Sequence, residues 1–102
     1  MATSHRSYDT PTEIVALTGT SQIIAADDGV LYGFEVSDDT ASSVHAHIHH
    51  GTDNTGPLIT GVKPPNGGHD AIWFGPNGIH CPDGIYLDVT SGTPEGSVFV
   101  RR

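Results

Sequence analysis

A chain of 102 residues has room for one hydrophobic core, and its 13 glycines and 7 prolines predict short elements joined by many turns. Its 12 acidic residues face 4 basic ones, and the resulting net charge of −8 disfavours nucleic acid and anionic membrane surfaces as partners. The single cysteine, Cys81, excludes an intrachain disulfide, and no apolar run approaches the roughly 18 residues of a membrane span.

The first residues of the chain are polar and lack the apolar stretch of a secretory signal, which favours a protein made in the cytoplasm. Residues 1–12, which include Tyr8 and Pro11, are predicted to be a flexible N-terminal arm that either frays or docks on a neighbouring subunit. Residues 13–102 are predicted to form a single β-sandwich domain.

From Glu13 onward the apolar residues recur with a period of two, which predicts strands rather than helices. Short strands are expected at 14–17 and from Ile23, and Asp27-Asp28-Gly29 carries the chemistry of a tight turn. The strand 30–37 alternates, and its expected inward set is Val30, Tyr32, Phe34 and Val36, opposite Leu31, Gly33 and Glu35.

The next predicted strand, 43–50, alternates apolar side chains with imidazoles. Val44, Ala46 and Ile48 are expected to face the core, so that the outer face carries His45, His47 and His49. Further strands are expected at 57–62, 69–74, 79–81, 85–90 and 97–101.

This regular spacing of strands and turns predicts an all-β fold, an antiparallel sandwich or jelly roll of seven to eight short strands. Glycine, proline and β-branched residues interrupt every window that would otherwise support a helix. The residues expected in the core are Tyr32, Phe34, Val36, Val44, Ile48, Ile72, Phe74, Leu87, Val89 and Val98.

The histidine strand suggests a divalent metal site. Alternate strand residues lie about 6.5–7 Å apart, and a His-x-His pair chelates one ion when the strand twist brings its rings together. His69 and His80, with Asp70 or Asp88 as acidic ligands, are the candidates to complete such a site. The alternative is an ordinary polar face turned to solvent or to a subunit, and acid would then loosen a contact made through it because adjacent imidazolium groups repel.

An enzyme of the cupin type is an alternative function. His45-Ala46-His47 or His47-Ile48-His49 resembles the first half of the first cupin motif, and Pro76-Asn77-Gly78-Ile79-His80 resembles a shortened second motif. The sequence departs from that pattern because no Glu follows the histidines before Glu95. Cys81 and His80 are not expected to form a nucleophile–base pair, since consecutive strand residues point to opposite faces. No catalytic residue is assigned.

The pattern of residues 29–101 is similar to a class of viral structural proteins. The similarity is carried by four segments: Leu31-Tyr32-Gly33-Phe34-Glu35-Val36, Trp73-Phe74-Gly75-Pro76-Asn77-Gly78-Ile79, Gly84-Ile85-Tyr86-Leu87-Asp88-Val89 and, at the end of the domain, Glu95-Gly96-Ser97-Val98-Phe99-Val100. These resemble the small β-sandwich head decoration (cement) proteins of tailed bacteriophages.

The resemblance implies a non-enzymatic virion structural protein on the capsid surface. It implies a homo-oligomer, with a trimer favoured, that binds the major capsid protein and needs no cofactor beyond a possible divalent metal at the histidine strand. The candidate interface residues are Tyr8, Pro11, His47, His49, Trp73 and Arg101. A third possibility is a carbohydrate-binding or adhesion module, in which an exposed Trp73, Tyr86 or Tyr8 is the stacking platform.

Overall fold

A computed structural model describes residues 12–102, and these form nine β-strands and no helix. Residues 12–102 accordingly contain no helix that is long and apolar enough to cross a membrane. The strands are β1 (Glu13–Ala16), β2 (Gln22–Ala25), β3 (Gly29–Ser37), β4 (His45–His50), β5 (Leu58–Val62), β6 (His69–Trp73), β7 (Ile79–Cys81), β8 (Ile85–Ser91) and β9 (Glu95–Arg101).

The strands form two antiparallel sheets in a nested order. Sheet A has the order β1-β9-β3-β6, with β7 paired to the first part of β3, and sheet B has the order β2-β8-β4-β5. The first strand therefore pairs with the last, the second with the eighth, the third with the sixth and seventh, and the fourth with the fifth. A long antiparallel ribbon rolled into two sheets in this way is a jelly roll, so the predicted fold class is confirmed.

The structure has nine strands, one more than the upper bound of the predicted seven to eight, and the segments predicted at 69–74 and 79–81 are the separate strands β6 and β7. β6 and β7 pair with successive parts of β3, at Gly33–Ser37 and Gly29–Leu31, and together occupy one edge of sheet A. The turn between them contains Pro76, which cannot donate a backbone hydrogen bond to the ladder.

The core lies between the two sheets, where the inward side chains of both meet. Alternation correctly predicted the inward faces of β4, β8 and β9, because Val44, Ile48, Leu87 and Val98 are fully buried. Ile72, Phe74 and Val89 are partly buried against the same cluster. Most of the predicted core is thus confirmed, and burying each large side chain contributes roughly 1.5–3 kcal/mol.

The prediction for the first half of β3 was wrong in phase. Leu31, expected outside, is fully buried in the core opposite Val100, whereas Val30 and Tyr32 are buried without joining the core cluster. A β-bulge between Leu31 and Gly33 in the pairing with β9 makes the difference. A bulge adds one residue to one strand. The residues before it and after it therefore follow opposite phases of the inward–outward alternation.

A buried carboxylate organises the connection from β3 to the histidine strand. Asp38 has no exposed surface and accepts hydrogen bonds from Ser42 N (2.7 Å), Ser42 Oγ (3.0 Å), Ser43 N (3.0 Å) and Val44 N (3.3 Å). Ala41 (φ 53°) and Ser43 (φ 61°) adopt the left-handed conformation, which is costly for residues other than glycine. The carboxylate therefore stabilises a strained turn that the sequence showed only as a polar segment.

Candidate functional site

The outer face of sheet B carries a group of side chains here named the histidine face: His45, His47, His49 and Asp88. β4 is an interior strand, held by hydrogen bonds to β8 on one side and β5 on the other. Its alternation turns the three predicted imidazoles to one side, and the register places Asp88 directly opposite His47. The sequence named Asp88 as an acidic candidate, and the pairing of β4 with β8 brings it to the histidines.

The three imidazoles are not evenly spaced. The ring centroids of His45 and His47 are 4.3 Å apart with a tilt of 49°, whereas those of His47 and His49 are 6.4 Å apart. The closer pair coincides with a bulge, where the register of β4 with β8 shifts between His45 and Ala46. Since a bulge increases the local twist of a strand, it accounts for two rings that approach more closely than the strand repeat.

His49 is tied into the surrounding structure. Its Nδ1 lies 2.9 Å from the carbonyl oxygen of Gly56, and its Nε2 lies 3.9 Å from Asp88 Oδ2. Ser21 Oγ donates to the other carboxylate oxygen of Asp88 at 3.4 Å. This chain of contacts links the loop after β4 to β8 and to the residue before β2.

The electrostatics of the histidine face favour neutral imidazole at His47. Burial lowers the pKa of His47 below its usual value of 6.5, and His45 and His49 lower it further, while Asp88 opposes the shift. Gly61 on β5 lies opposite His47 and leaves room for its ring, because a Cβ at Gly61 would lie 2.7 Å from His47 Cδ2.

The structure does not bring His69 and His80 to the histidine face. Both belong to sheet A, where His69 Nε2 lies 3.9 Å from Glu35 Oε2 and His80 Nε2 lies 2.6 Å from Asp28 Oδ1. Asp70 is also on sheet A. In residues 12–102 no group of three or more His, Cys, Asp or Glu side chains is arranged to hold a metal ion.

The two halves of the cupin-like pattern are likewise apart. The His-x-His half lies on the outer face of sheet B, and His80 lies on the strand that pairs with the first part of β3 in sheet A. Cys81 is buried in the core while His80 is exposed, so the two side chains are separated as the strand alternation predicted. Burial also raises the pKa of the Cys81 thiol.

A second candidate surface crosses the outer face of sheet A. Register aligns Ile14, Phe99, Gly33 and Trp73, one from each of the four main strands, and Tyr32 stacks beside Trp73 with ring centroids 6.2 Å apart. Ile14 is 69% exposed and Trp73 is 63% exposed. We name this set (Ile14, Tyr32, Gly33, Trp73 and Phe99) the apolar strip. Three strand spacings make it about 14 Å long between its outer strands.

Gly33 shapes the strip at its centre. A Cβ at this position would lie 2.4 Å from the carbonyl oxygen of Ile72 and 3.0 Å from Trp73 Cε3. The absent side chain therefore allows the indole to lie over the backbone of β3. Strand alternation predicted Gly33 on the outer face, and Trp73 was among the predicted interface residues, but the contact between them depends on the pairing of β3 with β6.

Beside the apolar strip lies a polar groove of about 480 Å³, lined by Asp28, Val30, Asn77, His80, Arg101 and Arg102. Arg101 lies two residues beyond Phe99 on the same side of β9 and opposite Val30. Arg102 donates from Nη1 to the carbonyl oxygen of Ile24, and its Nε lies 3.3 Å from both carboxylate oxygens of Glu13. Arg101 and Arg102 are therefore both part of the folded domain.

The predicted interface residues do not form one surface. Trp73 and Arg101 lie on the outer face of sheet A, and His47 and His49 lie on that of sheet B. Tyr8 and Pro11 fall outside the described residues. Comparisons with known proteins add no relative, because no protein family and no curated protein matches the chain.

Proposed function

We propose that this protein is a non-enzymatic virion structural protein that decorates and stabilises a capsid. It acts as a homo-oligomer, with a trimer favoured, and binds the outer surface formed by the major capsid protein. Its place is the virion surface, after synthesis in the host cytoplasm. The single observation that carries this proposal is the apolar strip.

The strip supports a docking function because its members are contiguous. Single exposed apolar residues are ordinary, but a continuous row across a whole sheet is typical of a protein contact. Aromatic residues are also enriched in the buried centres of protein interfaces. Trp73 is exposed, Phe99 is half-buried, and the ring of Tyr32, which is itself buried, stacks beside the indole.

Fold and charge support an external position in the particle. Jelly rolls are common among viral capsid proteins, although one fold serves many functions. A net charge of −8 favours solubility and opposes contact with packaged DNA. β1 is the edge strand of sheet A and contributes Ile14 to the strip, so the predicted arm precedes the docking face directly.

The test is co-sedimentation with capsids assembled without this protein. We expect wild-type protein to pellet with them, and Trp73→Ser to lose most of that binding. Leu58→Ser is the matched control, because Leu58 is similarly exposed (59%) but lies on the outer face of sheet B. Wild-type protein that stays in the supernatant, or equal binding by both variants, would contradict the proposal.

A second candidate function is carbohydrate binding, which the exposure of Trp73 and its stacking beside Tyr32 favour. Flat aromatic surfaces stack on sugar rings, and lectin domains also use the jelly roll. Trp73 is the only tryptophan, so its fluorescence reports directly on this surface. Saturable quenching by oligosaccharide, abolished in Trp73→Ala, would establish this alternative; unchanged emission would exclude it for the sugars tried.

A further inference from the structure

We propose that His45 and His47 form a two-point chelate for a divalent transition-metal ion on the outer face of sheet B. The proposal is independent of capsid binding. Zn²⁺, Ni²⁺ and Cu²⁺ are the class of ion concerned, because imidazole nitrogen suits these metals, whereas Mg²⁺ and Ca²⁺ prefer oxygen ligands.

The geometry of the pair is the first argument. The two ring centroids are 4.3 Å apart, well under the two-residue repeat of about 6.5–7 Å for a strand. Metal–nitrogen bonds of about 2.0–2.1 Å in tetrahedral geometry require the two nitrogens to lie about 3.3 Å apart. Because a ring nitrogen lies about 1.1 Å from the ring centroid, centroids 4.3 Å apart are compatible with that separation once each ring turns one nitrogen toward the ion.

The imidazole nitrogens of His45 and His47 are available to bind a metal ion. Within residues 12–102, no hydrogen bond or ion pair engages the imidazole of His45 or His47. His49, by contrast, is bound to the Gly56 carbonyl oxygen and lies beside Asp88. The third histidine therefore has a structural role, and the chelate consists of two protein ligands with water at the remaining positions.

The charge and the rigidity around His45 and His47 also favour a bound cation. Asp88 lies opposite His47 in the register and places a negative charge next to the bound cation without needing to ligate it. A protein of net charge −8 also attracts cations at longer range. β4 is paired on both sides, which holds the two ligands on a rigid element, as a preorganised site requires.

Gly61 has a positioning role in the same site. A Cβ here would approach His47 Cδ2 to 2.7 Å, so Gly61→Ala must displace the His47 ring although both histidines are retained in the sequence. Gly61 is not among the glycines with positive φ, so alanine introduces no backbone strain of that kind. If Gly61→Ala folds normally but binds metal more weakly, then metal affinity depends on the position of the His47 ring and not only on the presence of two histidines.

The experiment is calorimetric titration of the full chain, purified without a histidine tag, with ZnCl₂ and separately with MgCl₂ at pH 7.5. We expect one Zn²⁺ per chain, and a loss of affinity of roughly 10²-fold in His45→Ala and in His47→Ala, because each variant loses the intramolecular second contact. His69→Ala is the matched control, an exposed histidine on the other sheet, and retains wild-type affinity.

Three results overturn the proposal. They are the absence of saturable Zn²⁺ binding by the wild type, unchanged affinity in both ligand variants, and equal binding of Mg²⁺, which indicates carboxylates as ligands. Circular dichroism and the Tm of each variant without metal show that it is folded. If His47→Ala does not fold, His45→Ala and Gly61→Ala still decide the matter.

Discussion

At the scale of single residues, Asp38 is the side chain on which the local structure of the β3–β4 turn depends. It accepts four hydrogen bonds, three of them from backbone amides, and no part of it reaches solvent. Ala would leave these amides without a partner in a turn that already holds two non-glycine residues at positive φ. We expect Asp38→Ala to lower the Tm by roughly 5–10 °C in thermal denaturation. Asp27→Ala removes an exposed turn carboxylate and serves as the control.

The same residue gives stability a pH dependence of defined sign. Burial by itself raises the pKa of Asp38, but hydrogen bonds from Ser42, Val44 and Ser43 outweigh it and lower the pKa below the usual 3.8. A carboxyl group with a lowered folded-state pKa stabilises the protein above its unfolded-state pKa, and this contribution is lost as pH falls through the folded-state value. The Tm difference between wild type and Asp38→Asn should therefore be constant from pH 7 to 5 and shrink below about pH 4. A Tm difference that stays constant down to pH 2 would show that Asp38→Asn acts through the geometry of the asparagine amide and not through the lost carboxylate charge.

At the scale of the strand, β3 shows why alternation predicts some faces and fails on others. β4 and β8 keep their alternation through the core region, so their inward residues could be identified from a period of two. The bulge in β3 is set by its pairing with β9, about 66 residues later, and no property of β3 alone reveals it. Asp38 was missed for a different reason, because a polar segment does not show which carboxylate accepts hydrogen bonds from the backbone of Ser42, Ser43 and Val44.

The bulge gives the adjacent residues Leu31 and Tyr32 different surroundings, which substitutions test with exposed Ile14 as the comparison. Leu31→Ala should cost about 2–5 kcal/mol in the free energy of unfolding, since Leu31 lies in the core. Ile14→Ala, on the exposed strip, should change it by no more than about 0.5 kcal/mol. Tyr32→Ala should instead alter the fluorescence of Trp73, because its ring stacks on the indole. Chemical denaturation followed by circular dichroism measures the first two effects, and a small effect of Leu31→Ala would refute the assigned phase.

A glycine in the same strand tests the pairing with β6. Gly33→Ala places a Cβ 2.4 Å from the Ile72 carbonyl oxygen, a backbone atom that cannot move aside without separating the two strands. We expect a lower Tm and a changed Trp73 emission together, because Trp73 pairs with Gly33. Gly61→Ala is the control, because its Cβ would press on the side chain of His47 and not on a backbone atom. Gly51→Ala is unsuitable, because the positive φ of Gly51 (116°) would itself strain an alanine. A shift in Tm without any change in emission would place the damage elsewhere.

At the scale of the whole molecule, the two outer faces oppose each other in chemistry as well as in position. Sheet A presents the apolar strip beside the groove of Arg101 and Arg102, and sheet B presents the histidine face between exposed Ile23 and Leu58. The sequence singled out the three histidines, Asp88 and Trp73, but predicted Tyr32 in the core and assigned Ile14 to neither surface. It did not show that the two surfaces lie on opposite sides, because that follows from which strands join which sheet.

This separation predicts how self-association responds to acid. Each histidine that gains a proton makes the formal charge one unit less negative than −8, which weakens the repulsion between copies. Copies that meet anywhere outside the histidine face should therefore associate at least as strongly at pH 5 as at pH 8. Copies that meet through the histidine face should dissociate, because its adjacent imidazolium groups then repel one another and the facing subunit. We expect the first result, measured as native mass by size exclusion with light scattering at both pH values. Trp73→Ser, whose expected loss is in capsid binding, should leave that mass unchanged, and dissociation of the wild type at pH 5 would place the contact between copies on the histidine face.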